Sequence, residues 1–364
     1  VFAADASFFP LAKIRVTIEK DVLKQLTFFE QQVSSGQNQI MSITVENGSE
    51  EIAFSLLGKE NAIPHRLILQ RIIGGAVKEI LFNTILPKPF IASVERTGAA
   101  IFRRELDITR NRLLETMASQ GKDLDPFELL QKAYSRYALP VNANVDFARD
   151  YESISKETNS LKRSAALIAT RFQTLCGGKF EFKNSKLVFV PEENVKLKLD
   201  INESSSSVRS LFHLGGYLAH LATPGDLLII DEPELNLHPK NQRLVARLLA
   251  ILCNQGVSVF ITTHSDYIVR ELNTLLLLYK QTPHMEAVRN KYNYSRDELL
   301  SADSVRIYTV AEKMVLLEGG KRKQRARTLV PVPVSQEEGV GISSFDDATD
   351  EMNRIQDEIL YGEP

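Results

Sequence analysis

The stretch "LLIIDEPELNLHP", Leu227 to Pro239, sets two adjacent carboxylates, Asp231 and Glu232, directly after four aliphatic residues. An aliphatic run of this kind reads as a buried strand. Residues just past the carboxyl end of a strand in an open parallel sheet project toward a shared ligand site. A second run, "VSVFITTHS" from Val257 to Ser265, delivers Thr263 and His264 in the same way. Two acids at one strand end can divide the work of hydrolysing a phosphate: Asp231 holds Mg2+, usually through water, and Glu232 polarises the attacking water. His264, 33 residues beyond Asp231, is placed to reach a terminal phosphate and report its presence. An acidic pair after a strand also has a plainer use, as the N-cap of the next helix.

These side chains need a sheet and helices to hold them. Between the two runs lies "NQRLVARLLAILCNQG", with Leu244, Val245, Leu248, Leu249 and Leu252 on one helical face, and after the second comes the helix-like "DYIVRELNTLLLLYK". Strand, helix, strand, helix with aliphatic strands predicts a parallel sheet covered on both faces. Upstream, "KFEFKN", "KLVFVPE" and "VKLKLDI" alternate like an antiparallel meander, and "ESSSSVRSLFHLGGYLAHLA" is a Ser-rich turn feeding an apolar-periodic helix.

Residues 11–82 mix strand-like pieces ("KIRVTI", "QIMSITV", "EIAFSLL") with a helix-like stretch from Pro64, and residues 101–176 read as about three helices. The expected organisation is an α/β head in two parts, 1–100 and 177–310, interrupted by a helical insertion at 101–176. A tail at 311–364 follows, with a basic loop and an acidic amphipathic helix.

The chain of 364 residues has Lys+Arg 44 against Asp+Glu 46, a balance that gives no global pull toward nucleic acid or membrane. Any nucleic-acid contact must be local. The run Lys321, Arg322, Lys323, Arg325 and Arg327 is the candidate for DNA, with a solvated hairpin tip as the plainer reading. No run approaches the length of a membrane span. Cys176 and Cys253 fit reduced thiols and a cytoplasmic protein, and the histidines lack metal-ligand spacing.

"IIDEPELNLHP" followed by "VFITTHSDYIVREL" resembles the ABC-class ATPase heads of the SMC, RecF and OLD-like kind. In those, a Walker B strand ends Asp-Glu-Pro-Glu, a Leu-His-Pro element follows, and a switch-histidine strand comes next. The resemblance implies ATP and Mg2+ as ligands, with Asp231 at the metal and Glu232 and His264 catalytic. By the same match "ESSSSVRSL" occupies the signature position. Ser205 then stands for the signature serine, Ser206 and Ser207 replace the usual glycines, and Arg209-Ser210 is the basic-Ser pair that follows. Asn236 and His238 fall on the D-loop. "FIASVERTGA" resembles a further stretch of these proteins, although Glu95 and Arg96 read better as a structural ion pair.

Because a signature loop completes the opposite subunit's site, the resemblance implies a homodimer or higher homo-oligomer of nucleotide-sandwiching heads. It is nearest to stand-alone ATPases of bacterial anti-phage systems (PARIS, Septu, retron-linked), which pair with a separate effector nuclease such as a Toprim-type enzyme. The 46 residues after Glu318 are too few for a Toprim domain of the chain's own. A RecF-like repair ATPase with DNA as main ligand and a non-hydrolysing scaffold are the two other readings. Residues 1–364 contain no Gly-x-x-x-x-Gly-Lys-Ser/Thr loop. The chain opens on Val1 without a methionine, so that loop is expected upstream of it.

Overall fold

The computed structural model describes residues 29–35, 38–45, 52–56, 87–102, 137–161, 165–183, 186–315, 322–341 and 343–362. The chain divides into two compact units, Val1–Pro89 and Phe90–Pro364. In the first, β1 (Phe29–Ser35), β2 (Asn38–Val45) and β3 (Ile52–Leu56) form an antiparallel meander pairing Phe29 with Val45 and Met41 with Leu56. The alternation in "QIMSITV" and "EIAFSLL" accounts for two of these strands. The expected "KIRVTI" strand and the helix from Pro64 lie outside the described residues.

The second unit is built on a sheet ordered β4 (Pro89–Ala92), β8 (Leu227–Asp231), β9 (Ser258–Thr262), with β8 and β9 parallel from Leu227–Ser258 to Asp231–Thr262. Leu228 and Ile230 are fully buried, as the aliphatic run requires. The crossover helix α5 (Pro239–Asn254) starts where Pro239 presets the first helical φ, and it buries Val245, Leu248, Leu249 and Leu252. It stops at Gly256, whose φ of +85° permits the sharp return into β9. Helix α6 (Asp266–Leu277) follows, capped by Ser265.

A second, antiparallel sheet of β5 (Gly178–Lys183), β6 (Lys186–Pro191) and β7 (Leu199–Asp200) matches the expected meander in order and direction. Its third strand is only two residues long, because Val195 and Leu197 stay exposed and Asp200 caps a 3-10 turn instead of extending the ladder. The mixed α/β class is as expected.

Short α1 (Arg96–Ile101), α2 (Leu139–Ile154), α3 (Ala165–Cys176) and α4 (Ser206–Gly216) meet in one core with these sheets. Phe147, Tyr151, Phe180 and Phe212 pack with ring centroids 4.8–5.7 Å apart. The described part of the expected 101–176 insertion therefore shares its core with the head.

Helix α4 runs through this aromatic cluster on Gly215 and Gly216. A Cβ at Gly216 would stand 2.6 Å from Phe147 Cζ and 2.7 Å from Tyr151 Cε2. Alanine gains about 1 kcal/mol of helix propensity over glycine, whereas forcing a methyl into a packed core costs about 1–3 kcal/mol. Gly216→Ala is accordingly expected to lower the thermal midpoint, against the usual sign for this change; a raised midpoint would show that the rings yield.

His213 on the same helix is fully buried, its Nε2 at 3.0 Å from the Asn144 carbonyl. Burial pushes its imidazole down to about 4, against the raising effect of that hydrogen bond and with a further lowering from Arg96. A histidine depressed in the folded state takes up its proton first in the unfolded chain. Stability is then expected to fall as pH drops from about 6.5 toward 4, with a slope approaching 1.4 kcal/mol per pH unit. Urea melts across that range check this: the slope should flatten in His213→Phe, and an unchanged slope would assign the acid sensitivity elsewhere.

The unit continues with α7 (Pro283–Tyr292), a two-stranded ribbon of β10 (Ile307–Val315) and β11 (Gln324–Val332), a small hairpin of β12 (Val334–Ser335) and β13 (Gly339–Val340), and α8 (Ser343–Tyr361). Arg325 and Arg327, expected in a loop, are ladder residues of β11. Buried Glu298 ties this region to the core through Arg247 at 2.7 Å and Arg171 at 3.1 Å. Cys176 and Cys253 are free, and burial pushes them up to about 12 and about 11. Among the described residues no helix is long and apolar enough to cross a membrane.

Candidate nucleotide site

The carboxyl ends of β8 and β9 lie side by side, with Asp231 paired to Thr262. Thr262 Oγ1 donates to Asp231 Oδ1, the side-chain hydrogen bond that Asp231 makes among the described residues. The ladder runs one step further as the Glu232 N–H donates to the Thr262 carbonyl at 3.0 Å. At Glu232 the chain turns with φ +48°, a left-handed conformation that is costly for a residue with a Cβ. Such strain persists only when neighbours enforce it, and here Arg96 does.

Arg96 is buried, and its guanidinium donates to four carbonyls: Asp231 at 2.6 Å, Glu232 at 2.7 Å, and Ser93 and Ser210 at 3.0 Å each. Burial pushes it down to about 10, while the carboxylates of Asp231, Glu234 and Glu232 pull the other way, so it stays cationic at neutral pH. Glu95 accepts from Ser93 Oγ at 2.6 Å. The expected Glu95–Arg96 ion pair is thus replaced by two separate structural contacts, because Arg96 points inward at main chain and Glu95 outward.

The third acid of the run, Glu234, has no part in the expected chemistry, and it organises the loop after β9. It accepts from Thr263 Oγ1 at 2.9 Å and from the His264 N–H at 2.7 Å. His264 itself is exposed. Asp231, Glu232 and the His264 loop are therefore brought together at one end of the sheet, held by Thr262, Glu234 and Arg96.

The remaining expected residues occupy two helix starts. Ser205 is the N-cap of α4, its Oγ accepting from the Val208 N–H at 3.2 Å, and Ser206 and Ser207 form the first turn. Arg209 folds back to donate to the Ser204 carbonyl at 2.7 Å and the Asn202 carbonyl at 3.2 Å, bracing the loop that presents the serines. Asn236 is exposed at φ +59°, a conformation asparagine tolerates. His238 caps α5 through its Nδ1, which accepts from the Lys240 N–H at 3.3 Å. Arg96 joins the two groups, linking Ser210 of α4 to the β8 end.

Among the described residues no cluster of three or more His, Cys, Asp or Glu could hold a metal by itself. The donor set that is present, one carboxylate beside a hydroxyl at a strand end, suits Mg2+, which keeps most of its waters and shares phosphate oxygens.

The AAA ATPase domain family matches residues 106–269, a span from the helical region through the Ser-rich turn, β8 and β9 into the first turn of α6. A hemin import ATP-binding protein, HmuV, of Pseudomonas aeruginosa is 28% identical over 160 residues, 43% of this chain. The chain spans about half, 54%, of that relative's length. Over residues 106–269, which include Ser205, Asp231, Glu232 and His264, the chain is similar to AAA ATPase domains, and over 160 residues it is similar to an ATP-binding protein.

Proposed function

We propose that the β8–β9 end is the hydrolytic half of an ATP site in an ABC-class head. The observation that carries this reading is the strained Glu232, held at a strand end beside Asp231 by a buried arginine. Mg2+, when bound, would supply positive charge against the phosphates. Asp231 is the residue to hold it through water, with Thr262 fixing the carboxylate. Glu232 is the residue to orient and polarise the attacking water, and His264, its main chain pinned by Glu234, to meet the terminal phosphate.

Ser205 at the tip of α4 is proposed to complete the site of a second copy, its exposed hydroxyl and the helix N-terminus facing that nucleotide, with Asn236 and His238 near the seam. Among the described residues of the site no side chain is placed to act on another substrate, and ATP is proposed to drive assembly or a switch that controls a partner protein. By resemblance that partner is an effector nuclease in bacterial anti-phage defence.

A mixing experiment tests the shared site. Full-length Glu232→Gln and Ser205→Arg are each expected to be inactive alone. Mixed at equal amounts they should regain a substantial part of wild-type turnover, because a heterodimer holds one intact site. Mixing without recovery would oppose the two-copy reading. A RecF-like role instead predicts salt-dependent duplex DNA binding that controls turnover.

A further inference from the structure

Two loops meet at the carboxyl ends of β8 and β9, and two side chains tie them together. The first loop, 232–238, is built from consecutive turns: the Leu235 N–H donates to the Glu232 carbonyl at 3.1 Å and the Leu237 N–H to the Glu234 carbonyl at 2.9 Å. Asn236, at φ +59°, lies exposed within it. The second loop, 263–265, carries His264, which is exposed, so its imidazole owes its position to the main chain beneath it.

Glu234 makes one tie, accepting from Thr263 Oγ1 and from the His264 N–H. Gln242, the fourth residue of α5, makes the other. Its Nε2 donates to the Leu237 carbonyl at 2.8 Å, and its Oε1 accepts from Ser265 Oγ at 2.5 Å. A carbonyl can only accept, so the amide has one orientation here, with its NH2 toward Leu237 and its oxygen toward the hydroxyl. Ser265 is buried, and its oxygen also accepts from the Ile268 N–H at 3.1 Å as the cap of α6. Its own N–H donates to Thr263 Oγ1 at 3.0 Å, which closes the ring back to Glu234.

One tie would leave a hinge about which either loop could swing. Two ties, one on Thr263 and His264 and one on Ser265, grip the chain on both sides of the imidazole. An amide neither takes nor gives a proton at neutral pH, so Gln242 acts through what it holds.

We infer that Gln242 is a positioning residue that joins residues 234–238 and 263–265 into one body, so that a displacement at Asn236, near the proposed seam with a second copy, is passed to His264. Its effect on turnover rests on the ATP reading above, whereas the joining itself does not, and separate measurements test the two.

Hydrogen exchange of the nucleotide-free, full-length protein tests the joining. Gln242→Met fills similar space without hydrogen bonds; Gln242→Glu keeps the acceptor for Ser265 but, ionised, has no donor for Leu237. In both variants the amides of Leu237, His264 and Ser265 should exchange faster together, by about fivefold or more, while those of β8 and β9 hold. Acceleration in one loop alone, or in neither, would overturn the inference. In kinetics each variant should lower kcat by about tenfold to a hundredfold, the cost of a slightly misplaced group, with ATP affinity within about twofold of wild type. Because Gln242 acts through His264, Gln242→Met should cost less than about twofold further in a His264→Ala background. The full loss in that background would overturn the inference, since a merely structural weakening adds in either. A wild type without turnover would count against the ATP site alone, and the exchange result would still decide the joining.

Discussion

Glu232→Gln is expected to lower steady-state ATP turnover of the full-length protein by about 10²- to 10⁴-fold, the usual worth of a positioned general base, while ATP still binds. Among the described residues the hydrogen bonds of Glu232 are main-chain ones: its N–H donates to the Thr262 carbonyl, and its carbonyl accepts from Arg96 and the Leu235 N–H. Glutamine leaves all of these in place, so the strained turn survives and only the ability to take a proton from water is lost. If two copies share the nucleotide as proposed, their association should then be prolonged, because hydrolysis no longer releases it. Turnover within a few-fold of wild type would remove Glu232 from the chemistry. Loss of folding would instead show that the carboxylate is structural, and a thermal melt run alongside the kinetics separates these results.

Removing Arg96 should have the largest effect on stability. One cation satisfies four carbonyls, at Ser93 and Ser210 in buried contacts and at Asp231 and Glu232 in half-buried ones, and stands among three carboxylates. Breaking such a buried charged arrangement by deleting one member costs about 3–5 kcal/mol, because what remains is unpaired and desolvated. Arg96→Met keeps much of the side-chain volume, so the loss measured by urea denaturation reports polar satisfaction and not a cavity. Arg96→Lys should recover little of it, since an ammonium cannot fork to carbonyls on both β8 and α4. A loss below about 1 kcal/mol for Arg96→Met would mean that water replaces the guanidinium, and the enforced φ at Glu232 would need another cause.

The parts of the site that sequence reveals are those whose physics is local. "LLII" and "VFIT" read as buried parallel strands because aliphatic continuity is a property of five residues, and the polar residues ending each run were placed correctly at one sheet end. Ser205 reads as a helix start for the same reason, a Ser-rich turn feeding helical periodicity, whereas His238, expected on the D-loop, proves to be the cap of α5.

The role of Arg96 is hidden in the sequence because three of its four partners are carbonyls 114–136 residues away, and a carbonyl carries no residue-type signature. Glu234 was visible as a third acid, yet its task of fixing the Thr263–His264 backbone depends on two loops meeting. The region after Ala138 was legible as helix, but not that Phe147 and Tyr151 would pack on Phe212, since polar periodicity marks a solvent face without naming what lies behind the other. The short β7 shows the converse: "VKLKLDI" alternates like a strand, and the Asp200 cap ends the pairing that alternation invites.

The central claim is that this strand end hydrolyses ATP. Its most direct test is phosphate release from ATP by the full-length protein with Mg2+, measured beside ATP binding by calorimetry. The account predicts both binding and Mg2+-dependent release, with Asp231→Asn abolishing release. Absence of ATP binding, or release unaffected by both Asp231→Asn and Glu232→Gln, would contradict it.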